Sequence, residues 1–236
     1  MAKKVNNSAT EMDLAITRSE AFIQKHKKGI IISLVALAVI VAAGFGISKW
    51  LNNREDKAQA QLSMGIALMQ QGSEEAFNKA LNGDGQYQGF LKIANSYSFT
   101  DAANLAKAYA GECYVQMGKY DEAIKMLEDF SFKGDQAGSP SLKATLANCY
   151  AAKGDIDKAV STFKEAADMA DNDQISSAFL LEAGNLCLAK GNKAEALKIY
   201  EQIKSDYPTS QLCVTQPGGE EIVVQAEIEK YIERAK

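Results

Sequence analysis

The chain has 236 residues, a formal net charge of −4 at pH 7 and one histidine, His26. Because His26 stands next to an apolar stretch, the rest of the chain has no histidine for a His-based catalytic triad or a His-ligated zinc site. Residues 1–49 carry a formal charge of +4, which leaves −8 for the remainder. Phosphate backbones and anionic headgroups repel such an acidic body, so no nucleic-acid partner is expected.

The first predicted elements are an N-terminal arm, residues 1–28, and a transmembrane helix, residues 29–51. Residues 29–48 carry no charged side chain. At about 1.5 Å per residue such a helix is about 30 Å long, which matches the hydrocarbon core of a bilayer. Trp50 follows at the interfacial position that indole rings favour. The arm before the span is expected to be partly helical.

A cleaved signal peptide is the alternative for this stretch, with Ala42 and Ala43 as the small residues of a cleavage site. Signal peptides have apolar cores of about 7–15 residues after a short basic start. Here the uncharged run is longer, and the arm before it is long and partly acidic. These features favour a membrane span.

Basic residues are concentrated before the span. Residues 25–28 include three lysines next to it, whereas residues 49–57 combine three cations with two anions. The positive-inside rule then places the arm in the cytoplasm. We therefore expect a single-pass protein of a bacterial inner membrane, with its N-terminus in the cytoplasm and its C-terminal domain in the periplasm.

Residues 52–99 are expected to form a degenerate helical hairpin and a connecting short helix. Gly65, Leu68 and Gly72 keep the spacing of the repeats that follow them in the chain. A turn signal rich in glycine and asparagine covers residues 82–86. Apolar residues at helical spacing then predict the short helix.

Three stretches within residues 100–210 share one pattern at identical offsets. A small residue is followed at +3 by an aromatic residue or a cysteine, at +7 by glycine, at +12 by alanine and at +16 by a large apolar residue. The period is 36 and then 37 residues. The matching residues are Gly111, Tyr114, Gly118, Ala123 and Leu127; Ala147, Tyr150, Gly154, Ala159 and Phe163; and Gly184, Cys187, Gly191, Ala196 and Tyr200.

This spacing predicts pairs of antiparallel helices. The small first residue allows the two helices to approach, and the glycine at +7 ends the first helix because it takes the left-handed conformation at little cost. The alanine at +12 lies where the second helix crosses the first. The pattern resembles the tetratricopeptide (TPR) repeat, with repeats expected at 104–137, 140–173 and 177–210 and a longer connection at 133–139.

Residues 211–236 are expected to contain a loop and a capping helix. Pro217, Gly218 and Gly219 break the chain, and residues 220–235 then carry apolar residues at helical spacing. A solenoid needs such a cap with one polar face at its end. The predicted fold class is therefore all-α, with a single N-terminal transmembrane helix, a TPR-like α-solenoid of about four helical hairpins and a C-terminal capping helix.

The four cysteines are Cys113, Cys149, Cys187 and Cys213, and none is spaced as a metal-ligand pair or a CxxC redox pair. Three of them fall at nearly equivalent places in the repeats, where a cysteine serves as a small core residue. A disulfide in an oxidising compartment is the alternative.

In TPR arrays the first helix of each hairpin lines a binding groove, so the resemblance places a protein-binding wall on those helices. The wall is mostly apolar, with amide and carboxylate groups that can pair with a peptide backbone. The alternative is that some of these side chains pack against the next helix. Because Lys107 and Lys143 lie one residue away from the wall, no carboxylate clamp is predicted. The candidate binding residues are Leu105, Ala108, Glu112, Val115, Gln116, Ala144, Asn148, Ala151, Leu181, Asn185 and Leu188.

No constellation of residues indicates catalysis. Carboxylates such as Asp121, Asp155 and Asp173 stand in loops or at predicted helix starts, where they complement the helix dipole. The sequence contains no phosphate-binding glycine loop and no complete calcium loop. We therefore expect a protein that is not an enzyme, with no cofactor, no metal and no small-molecule substrate.

The whole arrangement resembles the YfgM family of membrane-anchored TPR proteins, in the form common in Bacteroidetes. The resemblance covers the arm that ends at 22–28, the single span, the hairpins and the terminal 231–236, whereas residues 211–222 depart from it. It implies a non-catalytic scaffold that works as an ancillary subunit of the Sec translocon or as a chaperone-like factor for exported proteins. The implied partners are the Sec translocon and a periplasmic chaperone. The alternative is an assembly scaffold of another envelope or outer-membrane export machine.

Overall fold

A computed structural model of the chain describes residues 7–132, 138–214, 216–217, 223–224 and 226–236. The first residues of the expected arm, most of the expected loop at 133–139 and the Gly218-Gly219 pair lie outside these ranges. Within them the secondary structure is helical apart from one two-residue ladder. The predicted all-α fold class is confirmed.

Ten helices and two short strands follow one another in the described residues. They are α1 (Asn7–Met69), α2 (Glu74–Asn82), α3 (Phe90–Ser96), α4 (Asp101–Gln116), α5 (Tyr120–Glu128), α6 (Gly138–Ala152), α7 (Ile156–Ala170), α8 (Asp173–Ala189), α9 (Lys193–Asp206), β1 (Gln216–Pro217), β2 (Val223–Val224) and α10 (Glu227–Ala235).

The chain divides into two compact units, residues 1–53 and residues 54–236. The first unit contains most of α1, whose large apolar side chains, such as those of Ile32, Val39 and Phe45, are exposed. By length and composition, α1 is the one helix among the described residues that could cross a membrane. Residues 29–48 of α1 carry no charged side chain, so this part of the helix has no polar face that would favour contact with water.

The second unit is a series of helical hairpins. Its first hairpin is formed by the end of α1 and by α2, and the three that follow are α4 with α5, α6 with α7 and α8 with α9. The short helix α3 is inserted before α4 and packs on it, and α10 packs on α9. The all-helical solenoid expected from the repeat spacing is therefore present.

Glycine ends the first helix of each hairpin. Gly72, Gly118, Gly154 and Gly191 have φ values of 69°, 69°, 83° and 85°. Residues with a Cβ adopt this left-handed conformation only at a cost, whereas glycine does not. The predicted role of the glycine at +7 is confirmed in all three repeats and in the degenerate first hairpin.

The small first residue of the pattern faces the large residue at +16. A Cβ placed on Gly111 would lie 2.7 Å from Cγ of Leu127, and a Cβ on Gly184 would overlap the ring of Tyr200. The absence of a side chain at these positions therefore makes room for the large residue of the second helix. In the second repeat, Ala147 and Phe163 lie in one buried cluster.

Salt bridges between successive hairpins recur at the repeat spacing. Lys153 reaches Asp121 at 2.8 Å, and Lys190 reaches Asp157 at 2.6 Å. Both lysines stand directly before the turn glycine of their hairpin. Each pair therefore links a hairpin to the second helix of the hairpin before it.

The last helix is shorter than the sequence predicted. A helix was expected from residue 220, but α10 begins at Glu227, and Val223 pairs with Pro217 in an antiparallel ladder. The expectation was wrong at residues 223–224 because two successive β-branched valines favour extended backbone. Within α10, Ile228 and Ile232 are buried against the end of the solenoid.

The cysteines are free thiols. Cys113, Cys149 and Cys187 are buried and Cys213 is half-buried. Burial raises the pKa of the Cys113 thiol to about 12 and that of the Cys149 thiol to about 11. The expectation that the repeat cysteines are core residues is confirmed, and the alternative of a disulfide is absent from this structure.

Candidate protein-binding surface

The candidate surface lies along the first helices of the three repeats, α4, α6 and α8. Each contributes residues at matching positions because the repeats follow one another at 36 and 37 residues. Glu112, Asn148 and Asn185 form one such set, which we name the polar row. Val115, Ala151 and Leu188 form a second set one turn further along the helices.

The predicted wall is partly accessible. Leu105, Gln116 and Asn148 are exposed, with 38% of Leu105 reachable by solvent. Six further candidates are half-buried. They are Glu112, Val115, Ala151, Leu181, Asn185 and Leu188.

Two of the candidate residues are buried. Ala108 is 4% exposed and Ala144 is 6% exposed, so neither offers a surface to a partner in this conformation. The physical reason is the position of their helices: α4 packs between α3 and α5, and α6 packs between α5 and α7. Only a narrow strip of each first helix is left open.

The half-buried apolar candidates also contribute to the core. Val115 and Ala151 pack against the cluster that contains Leu127. Leu181 and Leu188 pack against the cluster that contains Tyr200. These side chains therefore hold neighbouring helices together and expose only part of their surface, as the alternative interpretation of the sequence anticipated.

The polar row differs from hairpin to hairpin. The side-chain oxygen of Asn185 accepts a hydrogen bond from the Tyr200 hydroxyl at 3.0 Å. Among the described residues, neither Asn148 nor Glu112 has a side-chain hydrogen-bond or ion-pair partner. Burial raises the pKa of the Glu112 carboxyl above its ordinary value, because removal from water disfavours its charged form. Two of the three polar groups are thus available to a partner.

The lysines next to the wall are engaged elsewhere. Lys107 Nζ donates to the Asp129 carbonyl at 2.9 Å and pairs with the Asp129 carboxylate. Lys143 pairs with Glu165 and lies over the ring of Phe132, with 4.7 Å to the ring centroid. Lys107 thus binds the residue that follows α5, and Lys143 binds α7, the second helix of its own hairpin. The cations that a carboxylate clamp would need are therefore used inside the fold.

Sequence reasoning missed an exposed aromatic residue in the connection before α4. Phe99, in the connection between α3 and α4, is 91% exposed and has a φ of +71°. Asn104, Lys107 and Ser131 line a shallow pocket beside it of about 470 Å³. No local signal marked its exposure, because an apolar residue directly before an N-cap such as Thr100 often packs against the first turn of the helix as a hydrophobic staple.

The repeats have recognisable relatives. Residues 110–174 and 145–210 match the tetratricopeptide repeat family. Residues 110–210 are thus similar in sequence to tetratricopeptide repeats. Repeats of this type are non-catalytic scaffolds for protein–protein interaction. No curated protein sequence matches the chain.

The fold is also similar to two crystal structures. One is a Podosopora anserina protein assigned as a kinesin light chain, with nearly identical TPR-like repeats; it is 16% identical with a TM-score of 0.53, over 77% of this chain and 86% of that chain. The other is a variant form of the same protein, 15% identical with a TM-score of 0.52, over 77% and 85% of the two chains. At these identities the likeness shows the fold alone.

Proposed function

We propose that this protein is a membrane-anchored scaffold whose TPR domain faces the periplasm and holds proteins near the exit of the Sec translocon. It would act there as an ancillary subunit or as a chaperone-like factor for exported proteins. One observation carries the proposal: an exposed apolar helix is joined directly to a stack of TPR hairpins. A helix of this composition is stable in lipid, whereas the salt-bridged second unit is suited to water.

The orientation is supported by charge. Three lysines lie between residues 25 and 28, and the residues after the span carry almost balanced charge up to residue 57. Positive charge next to a span is retained in the cytoplasm. The arm would then be cytoplasmic, and residues 54–236 would lie in the periplasm of a bacterium with two membranes.

The translocon assignment is supported by the resemblance to the YfgM family in the order of arm, span and repeats. It implies two partners, the Sec translocon and a periplasmic chaperone. The polar row is a suitable place for a client or partner, since Glu112 and Asn148 are unpaired in the described structure.

The proposal is tested by crosslinking from the span. A photoreactive side chain at Ile40, followed by purification in mild detergent and mass spectrometry, should recover the Sec channel together with a periplasmic chaperone. Recovery of a different envelope or outer-membrane export machine, with no Sec component, would instead establish the alternative scaffold.

Orientation needs a separate measurement. In intact spheroplasts, an added protease should remove residues 54–236 and leave the arm protected. A body that is protected in spheroplasts and cut only after lysis would contradict the periplasmic assignment, while leaving the TPR scaffold itself unaffected.

A further inference from the structure

Glu112 differs from the other half-buried carboxylates of the hairpins because it has no partner. It lies half-buried on α4, and no side chain or backbone N–H of the described residues bonds to it. Removing a charged group from water is unfavourable unless a partner compensates for it. The other half-buried carboxylates described after residue 53 have such partners: Glu55 accepts from the Ala102 N–H, Asp173 from the Thr209 hydroxyl, Glu195 from Lys164 and Glu229 from Lys204.

The cations of the described fold do not compensate Glu112. Burial raises the pKa of its carboxyl, and no neighbouring positive charge lowers it. Lys107, on the same helix, pairs with Asp129, and Lys143, on the next first helix, pairs with Glu165. The Glu112 carboxylate therefore keeps its full capacity to bind a cation from another molecule.

Two further acceptors stand beside Glu112. Gln116 lies four residues later on α4, which places it one turn away on the same face. Asn148 holds the position of Glu112 in the next repeat, on α6, which contacts α4. Gln116 and Asn148 are exposed, and neither side chain has a partner in the part of the chain that the structure describes. We name Glu112, Gln116 and Asn148 the acceptor site.

The chemistry of the acceptor site fits a guanidinium group. Arginine presents five N–H donors in a planar fork that matches a carboxylate, and it sheds water more easily than an ammonium group does. Its aliphatic stem packs on apolar surface while the charge reaches an acceptor. Val115, in the same turn as Glu112, and Leu105, two turns before it, supply partly accessible apolar surface of this kind.

We propose that the acceptor site binds an arginine side chain of the protein segment that the scaffold holds. This inference rests on the scaffold role in the proposed function and names the chemistry of the bound segment. Charge complementarity supports it, because the chain after residue 49 is acidic in total and attracts a cationic segment while it repels an anionic one.

Asn148 adds a contact to the backbone of the same segment. The axes of packed helices lie about 8–10 Å apart. An extended chain advances about 3.3 Å per residue, so Asn148 meets the backbone about three residues from the arginine. Its amide can both donate to and accept from a peptide group. The site thus selects one basic side chain and tolerates varied residues beside it.

Fluorescence anisotropy with matched peptides tests the inference on the full-length chain in an uncharged maltoside detergent. The probes are short peptides of leucine and serine that carry an uncharged fluorophore and have arginine, citrulline or glutamate at the centre. Citrulline keeps the length and shape of arginine but has no charge. The parent should bind the arginine peptide at least fivefold more tightly than the citrulline peptide, and Glu112→Gln should remove this difference.

Two further variants control for charge in general. Glu182→Gln removes a carboxylate at an exposed position on α8 and should keep the preference for arginine. Glu112→Arg should reverse it and bind the glutamate peptide more tightly than the arginine peptide. Far-UV circular dichroism shows that each variant is folded.

The outcomes separate this inference from the proposed function. Equal binding of the arginine and citrulline peptides by the parent, no binding of either at millimolar concentration, or equal losses in Glu112→Gln and Glu182→Gln would overturn it. Each of these results leaves the recovery of the Sec channel by crosslinking from Ile40 unaffected. Conversely, a preference for arginine that depends on Glu112 supports the inference even where that crosslinking recovers another envelope machine.

Discussion

Glu112 is the member of the polar row whose environment is least favourable to its charge. Its carboxylate is half-buried, has no cationic partner among the described residues and has a raised pKa because of desolvation. The folded protein therefore binds the Glu112 proton more tightly than the unfolded chain does. A group of this kind costs stability once it is ionised, and a cationic side chain placed beside it would offset that cost.

The pH dependence of stability tests this view of Glu112. For an acid with a raised folded pKa, the penalty is absent below the unfolded pKa and develops as pH rises through the folded value. Glu112→Gln should therefore melt at a higher temperature than the parent at pH 7 and at about the same temperature at pH 4. Thermal denaturation followed by circular dichroism measures both. The control Glu182→Gln, at an exposed site on α8, should show no such difference, and an equal gain at both pH values would contradict the assignment.

The effect of backbone strain at Phe99 on stability can be measured separately from the effect of removing its ring. Phe99→Gly and Phe99→Ala both remove the ring, but only glycine adopts the left-handed conformation freely. Alanine would normally be the more stable of the two. Here the glycine variant should be the more stable by about 1 kcal/mol, the cost of a left-handed residue, which corresponds to about 2–4 °C in melting temperature. A higher melting temperature for the alanine variant would show that position 99 is unstrained.

At the scale of the helical hairpin, the packing of α8 on α9 depends on Gly184, which lies against the ring of Tyr200. The Tyr200 hydroxyl donates to Asn185 at 3.0 Å, a bond that restrains the ring next to Gly184. Phe163, at the same repeat position, has no hydroxyl and packs in a cluster with Ala147. At this hairpin the hydroxyl bond therefore helps to keep the ring against the first helix.

A double-mutant cycle follows from this difference. Gly184→Ala alone should destabilise the fold by about 1–3 kcal/mol, the usual cost of overpacking a core. Adding Tyr200→Phe releases the ring, so the double variant should be more stable than the sum of the single changes predicts. Chemical denaturation of the four proteins gives the coupling energy. Strict additivity would mean that the hydroxyl does not restrain the ring.

The hairpins were predictable from the sequence because their determinants are local. Gly118 and Gly154 each stand seven residues after the small first residue of their repeat, and both have a positive φ. Glycine adopts this conformation at a lower cost in free energy than other residue types. The exposure of side chains on the first helices, in contrast, depends on packing against other helices, which local sequence does not determine. Ala108 and Ala144 lie on helices that pack between two neighbours, and Ala144 belongs to the buried cluster that includes Phe163 of α7. The repeat pattern does not specify how much of a first helix its neighbours cover. The start of α10 was also predicted wrongly. The prediction gave more weight to the helical spacing of apolar residues after 220 than to the preference of β-branched residues for extended backbone.

Over the whole molecule, the polar row joins three hairpins into one surface while its members serve different purposes. Asn148 is exposed and has no side-chain partner among the described residues, whereas Asn185 is committed to Tyr200. The sequence places both at equivalent positions and cannot distinguish them, since the difference arises from a tyrosine 15 residues away in the chain. The conformation at Phe99 was not predictable for a related reason, because its connection is contacted by Arg54 and Glu55, more than 40 residues before it in the chain.

Asn148 and Asn185 should therefore respond differently to removal of the amide. Asn148→Ala should weaken capture of partner proteins from detergent-solubilised membranes at least threefold while leaving the melting temperature within about 1 °C, because an exposed side chain contributes little to stability. Asn185→Ala should lower the melting temperature, since the buried Tyr200 hydroxyl loses its acceptor, at a cost of about 1–3 kcal/mol. Quantitative mass spectrometry and thermal denaturation on the same preparations separate the two effects. Gln211→Ala, at an exposed polar residue outside the row, provides the control for capture. If Asn148→Ala captures partners as well as the parent does, the polar row is not the binding surface and the hairpins must engage their partners through another face.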